Sequence, residues 1–170
     1  MSEKNRTFAP KFTSPRPNPQ PSTLNPQLST PMSPYRHEIK YYECDRMGIT
    51  HHSNYIRIME EARVYWMDQL GFGFDRMEAE GVVSPVVSVE CVYKKPTTFK
   101  DIVEVDLSIA ETTPLKITFA YKMYLVDPAT DNRGTLVCTC RSTHCFLENG
   151  RPVSLPTRFP QLAEALATPK

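Results

Sequence analysis

The spacing of polar and apolar residues along this chain changes period several times, and each change predicts an element. Tyr35, His37, Ile39 and Tyr41 alternate with Arg36, Glu38, Lys40 and Tyr42, which is the two-residue period of a half-buried strand. The period then lengthens. Tyr55, Ile58, Met59, Ala62, Tyr65, Trp66 and Leu70 recur at three- and four-residue intervals up to Gly71. Ser53 and Asn54 offer capping chemistry ahead of that stripe, so the spacing predicts one helix of roughly 17 residues. A shorter helical patch at 74–80 stops at Gly81. Strand chemistry follows in Val87, Val89, Cys91 and Tyr93, then across 102–111, 115–126 and 135–147, all rich in β-branched or aromatic residues. Turns are expected at 112–114, 127–134 and 148–150, and a last amphipathic segment from Phe159 to Ala167 reads as helical.

One strand, one long helix and a run of strands joined by short turns favour an antiparallel sheet, against which the helix must bury its stripe. The expected fold is α+β: a curved antiparallel sheet wrapped around one long helix. A single helix covers only part of such a sheet, so association through an edge strand or across helices is expected.

Composition sharpens the boundaries. The chain has 170 residues, 40% of them hydrophobic, enough for one cored domain. Of its 16 prolines, eight lie in the first 34 residues, among Ser, Thr, Asn and Gln. Such a segment cannot bury enough apolar surface to offset its ordering entropy. Residues 1–34 are therefore read as a disordered Pro-rich extension and 35–170 as the folded domain. The close prolines also break the amphipathic helix a transit peptide uses. No apolar run approaches the roughly 18 residues of a membrane span, and no secretory h-region opens the chain, so a cytoplasmic location is expected. Net charge is +1, and Lys4, Arg6, Lys11 and Arg16 of the extension face only Glu3. The body thus lacks the basic character of a nucleic-acid binder. The five cysteines form no CxxC pair and sit mostly in apolar runs, which reads as buried reduced thiols rather than disulfides or a zinc site.

Functional groups are densest from Tyr42 to Tyr55, where a strand end passes through a Gly-containing loop into the helix start. A helix N-terminus presents unsatisfied N–H groups and partial positive charge, which can hold a developing oxyanion. Asp45, seven residues before His52, can reach the same point. Asp45 and the N–H of His52 would then make a nucleophile or general base facing an oxyanion hole. Taken alone, an Asp-x-x-Gly aspartate is usually a turn residue, and a histidine at a helix start is usually a cap neighbour.

These residues carry a resemblance. Tyr42-Glu43-x-Asp45-x-x-Gly48-Ile49-x-x-His52-x-Asn54-Tyr55, Glu60-x-Ala62-Arg63, Tyr93-Lys94-Lys95-Pro96-x-x-Phe99-x-Asp101 and Gly150-Arg151-Pro152-Val153-x-Leu155-Pro156 occur in order between Tyr35 and Pro156. In this the chain resembles the 4-hydroxybenzoyl-CoA thioesterase family of hot-dog proteins, which includes Tol-Pal-associated acyl-CoA thioesterases. The resemblance implies a homodimeric or homotetrameric acyl-CoA thioesterase. Asp45 would act as the catalytic carboxylate, and His52 would face the thioester oxygen through its N–H, with its side chain assisting in one branch of the family. Tyr55 and Glu60 match recurrent positions on the helix.

The leaving thiolate needs no strong acid, no metal is required, and coenzyme A enters as part of the substrate rather than as a cofactor. Lys94 and Lys95 are candidates for the coenzyme A phosphates, with Arg141 a further one. Ser84, Pro85, Trp66 and Phe72 would shape the acyl pocket. Neighbours at a helix start are expected to point in different directions, so His51 and His52 are not read as a metal site, and Cys44 is read as packing. Two rival readings are an enoyl-thioester hydratase or dehydratase on the same scaffold, and a non-catalytic acyl-CoA-binding module whose proline-rich tail docks a partner.

Overall fold

The apolar stripe of the long helix finds its partner in a sheet that bends around it. The computed structural model describes residues 32–167. In chain order its elements are β1 (Tyr35–Glu38), α1 (His52–Gln69), α2 (Phe74–Ala79), β2 (Val82–Val83), β3 (Val86–Tyr93), β4 (Ile102–Thr112), β5 (Lys116–Val126) and β6 (Arg133–Cys145). β7 (Leu147–Glu148), β8 (Arg151–Pro152), α3 (Leu155–Arg158) and α4 (Pro160–Ala167) complete the chain. Five strands pair antiparallel in the order β1-β4-β5-β6-β3, and the short β2, β7 and β8 form a second small sheet. α1 packs against β1 and β4 on one side of the large sheet and against β3 on the other, so the sheet curves about it without closing. This is the hot-dog arrangement.

Between helix and sheet lie Tyr55, Ile58, Met59, Ala62 and Met67 of α1, with Ile117, Phe119, Tyr121 and Met123 of β5 and Cys138 and Cys140 of β6. Burying a side chain such as Ile58 or Met59 contributes about 2–3 kcal/mol. All five cysteines are free, but only Cys138 and Cys140 are fully buried; Cys44, Cys91 and Cys145 are half-exposed.

Three details differ from the sequence reading. The alternation that continues to Tyr42 does not keep the chain extended: β1 stops at Glu38 and Tyr41–Glu43 form a single 3-10 turn. Tyr41 and Tyr42 are thereby left 79% and 78% exposed. The cause is the buried Glu43 carboxylate, which accepts the Lys40 N–H at 2.6 Å and lies 2.9 Å from Nε2 of His37. Second, α1 begins one residue earlier than Ser53, with His51 as its cap. Third, the closing Leu155-Pro156 stretch forms the helical turn α3, with proline in the first turn where its missing N–H costs nothing.

The expected Pro-rich extension lies outside the described residues except for its last three positions. There Met32 packs on the core. Ser33 N–H donates to Oε1 of Gln69 at 2.9 Å, and Nε2 of Gln69 donates back to the Ser33 carbonyl at 3.1 Å.

A buried polar chain crosses the sheet. The Ser142 hydroxyl lies 2.9 Å from the Tyr121 hydroxyl and 2.8 Å from Nε2 of His144. Burial, reinforced by the Arg63 cation, pushes His144 down to about 4. Between its ordinary value and that one, the unfolded chain binds a proton the folded chain refuses, so stability falls as pH drops through this window. The loss at the acid end is about 3 kcal/mol. Thermal melts across pH 4 to 7 should show a shallower acid decline for His144→Asn than for the wild type; parallel declines would refute the assignment.

Candidate active site

The loop between β1 and α1 is built by backbone bonds that leave one carboxylate oxygen over. Asp45 N–H donates to the Ile49 carbonyl and Gly48 N–H to the Asp45 carbonyl, both at 2.9 Å. This turn holds residue 48 at φ 76°, where a side chain would be strained. Met47 N–H donates to Oδ1 of Asp45 at 2.8 Å. Asp45 therefore does the turn residue's work with one oxygen, while Oδ2 has no partner among the described residues.

The end of the loop is stapled beneath the helix. His51 N–H and Nδ2 of Asn54 both donate to the Glu43 carbonyl at 2.8 Å. Nδ1 of His51 accepts the Ser53 N–H at 3.4 Å and lies 2.8 Å from the Ser53 hydroxyl. His52 is thus the first residue of α1, where no intrahelical acceptor exists for its N–H.

Asp45, Thr50, His52, Tyr55, Lys94 and Lys95 line one cleft of about 310 Å³, with Ile49, Tyr93 and Pro96. The fold thus brings five of the seven sequence-predicted residues together. Glu60 and Ser84 are elsewhere. Glu60 lies about 12 Å further along α1, on its outer face beside Arg57 and Val64. Ser84 precedes β3 and lines a small internal void with Phe74 and Phe146, at the far end of that strand from Lys94. Of the remaining candidates, Arg141 is exposed on β6, Phe72 is buried in the core, and Trp66 packs edge-on against Phe119.

The residue that holds the cleft together escapes sequence reading. Thr97 is fully buried. Its carbonyl accepts the Thr50 N–H at 2.8 Å, and its hydroxyl lies 2.7 Å from the Thr50 hydroxyl and 2.9 Å from the Tyr55 hydroxyl. Burial raises the Tyr55 phenol above its ordinary value, so it stays protonated and offers the cleft its ring. Tyr93 stacks edge-on against that ring at 5.2 Å and donates its hydroxyl to the His52 carbonyl at 3.1 Å. The first of two threonines in Lys-Lys-Pro-Thr-Thr-Phe-Lys has no local signature; only the loop-to-loop pairing reveals it. Among the described residues no three His, Cys, Asp or Glu side chains converge in a metal-ligand cluster, and no helix is long and apolar enough to cross a membrane.

A hot-dog fold with a carboxylate loop feeding a helix N-terminus defines a class, and residues 39–166 match the model of the thioesterase-like superfamily. The chain belongs to that family and is an enzyme of the thioesterase class. It is 36% identical over 122 residues to an Aquifex aeolicus protein named as an esterase, covering 72% of this chain and 90% of the relative. A Bacillus subtilis protein named as an acyl-CoA thioesterase, YneP, is 34% identical over 125 residues, covering 72% and 86%. Among solved structures, the DHNA-CoA thioesterase of Staphylococcus aureus superposes with a TM-score of 0.70 at 27% identity, covering 78% of this chain and 87% of that one.

Proposed function

We propose that this protein hydrolyses acyl-CoA thioesters to a carboxylic acid and free coenzyme A. The observation that carries the reading is the convergence of Asp45 and His52, the first residue of α1, on one cleft. The thioester carbonyl sits between them. The Asp45 carboxylate either adds to the carbonyl carbon, giving an anhydride that water then opens, or takes a proton from a water that adds in its place. In both routes the carbonyl oxygen gains charge beside the His52 N–H and the positive end of α1, and the C–S bond breaks to release a thiolate. Lys94 and Lys95 receive coenzyme A phosphates at the cleft mouth. The relatives named as acyl-CoA and DHNA-CoA thioesterases support this substrate class, and five free thiols support a reducing compartment such as the cytoplasm.

The active unit in this reading is a homodimer. β3 is an edge strand whose Val86, Val87, Val89, Val92 and Tyr93 are all exposed, an arrangement that invites pairing with another strand. Two-fold antiparallel pairing of β3 with a second copy would lay the start of one strand, next to Ser84, beside the end of the other, next to Lys94. That would return Ser84 to the cleft from the other subunit.

The test is a panel of aliphatic and aryl acyl-CoA thioesters, including DHNA-CoA and crotonyl-CoA, followed by thiol release. Hydrolysis of at least one is expected. Water addition to crotonyl-CoA without thiol release would instead establish the hydratase reading.

A further inference from the structure

The connection between β3 and β4, residues 94–101, does more than close the cleft. Its inner side is anchored throughout. Lys94 and Lys95 donate their N–H groups to the Val137 carbonyl at 2.8 and 3.2 Å, and Thr97 is the buried knot described above. Asp101 ties the far end: its carboxylate accepts the Thr98 N–H at 2.7 Å and the Thr98 hydroxyl at 3.2 Å, while Lys100 N–H donates to the Ile39 carbonyl at 3.0 Å. These ties hold Lys100 at φ 71°, a conformation that non-glycine residues rarely adopt.

What the rigid segment presents outward is a row of cations and an aromatic. Among the described residues, none of Lys94, Lys95 and Lys100 has a carboxylate within ion-pair distance. Phe99, 45% exposed, meets the exposed Tyr41 edge-to-face at 5.7 Å, and Nζ of Lys100 stands over the Phe99 ring at 5.4 Å. A single exposed aromatic needs no explanation. Two in mutual contact, one of them next to a strained lysine on the segment that already lines the thioester cleft, form a platform that has no role in the fold's core.

Resting on the hydrolase reading above, we infer that Tyr41, Phe99 and Lys100 bind the nucleotide of coenzyme A, the adenine against the aromatic pair and a phosphate at Lys100. Bases stack on aromatic side chains without regard to sequence, and compact ammonium groups suit exposed phosphates. Phe99 is four positions beyond Lys95, a span of at most about 14 Å, so one extended thioester can lie with its sulfur in the cleft and its base on the platform.

The test compares the same acyl group on coenzyme A and on pantetheine, which lacks the nucleotide. The expected result is that Tyr41→Ala/Phe99→Ala lowers the ratio of kcat/KM for acyl-CoA over acyl-pantetheine about tenfold. Lys100→Gly, which relieves the backbone strain and so keeps the loop folded, lowers the same ratio. A ratio unchanged from wild type in both variants overturns the platform. Should wild type hydrolyse neither thioester, the hydrolase reading fails, and calorimetric titration with adenosine 3′,5′-bisphosphate still decides the platform. Binding by wild type that weakens in both variants supports it, and no binding, or equal binding by all three proteins, overturns it.

Discussion

Replacing Asp45 with Asn is expected to lower kcat for acyl-CoA hydrolysis by about 10²–10⁴-fold, the range a positioned acid–base group contributes, with little change in Tm. The two halves of this expectation come from the two oxygens of one carboxylate. Oδ1 accepts the Met47 N–H, and the amide oxygen of asparagine can do the same, so the turn that launches the loop survives. The negative charge does not survive, and with it goes the capacity to attack a carbonyl or to take a proton from water. Steady-state assays on the purified variant, with a melting curve beside them, separate the effects. Wild-type turnover on every acyl-CoA tested would remove Asp45 from the mechanism, and a collapsed melting curve would make it a turn residue after all.

The second large effect is expected at the free edge of β3. Val87→Lys/Val89→Lys puts two charges on an exposed apolar edge strand that, among the described residues, pairs with β6 alone, the means by which natural sheets discourage pairing. Sedimentation should find the wild type dimeric, as proposed, and the variant monomeric. In the proposed dimer the site is completed from two subunits and would lose its geometry when they part, so kcat/KM should fall by about 10²-fold or more. A variant that is monomeric yet fully active would show that one chain suffices, and a variant that remains dimeric would place the interface elsewhere.

How much of this could be read in advance follows from which interactions are local. The helix was legible because its apolar stripe keeps one period along its length, and the structure moves its cap only from Ser53 to His51. The strands from 86 onward were legible because β-branched and aromatic residues cluster between turn residues. The first strand was overextended because alternation alone cannot see Glu43, whose side chain captures the Lys40 N–H and turns the chain. In the cleft, Asp45 and His52 were legible as a loop feeding a helix start, a pattern contained in eight consecutive residues. Thr97 was not, since its partners Thr50 and Tyr55 lie 47 and 42 residues away. Ser84 fails for the opposite reason. A position that would enter a site only from another copy has no reason to sit near that site in its own chain.

The reciprocal pair between Ser33 and Gln69 fastens the segment just ahead of β1 to the last turn of α1, whereas the cleft opens at the first. Seventeen residues of helix, about 26 Å, separate the two. The protein therefore has a handle at one pole and a mouth at the other. A surface, a tag or a neighbouring domain joined directly ahead of Ser33 would hold the enzyme by its back and leave the path of the substrate open.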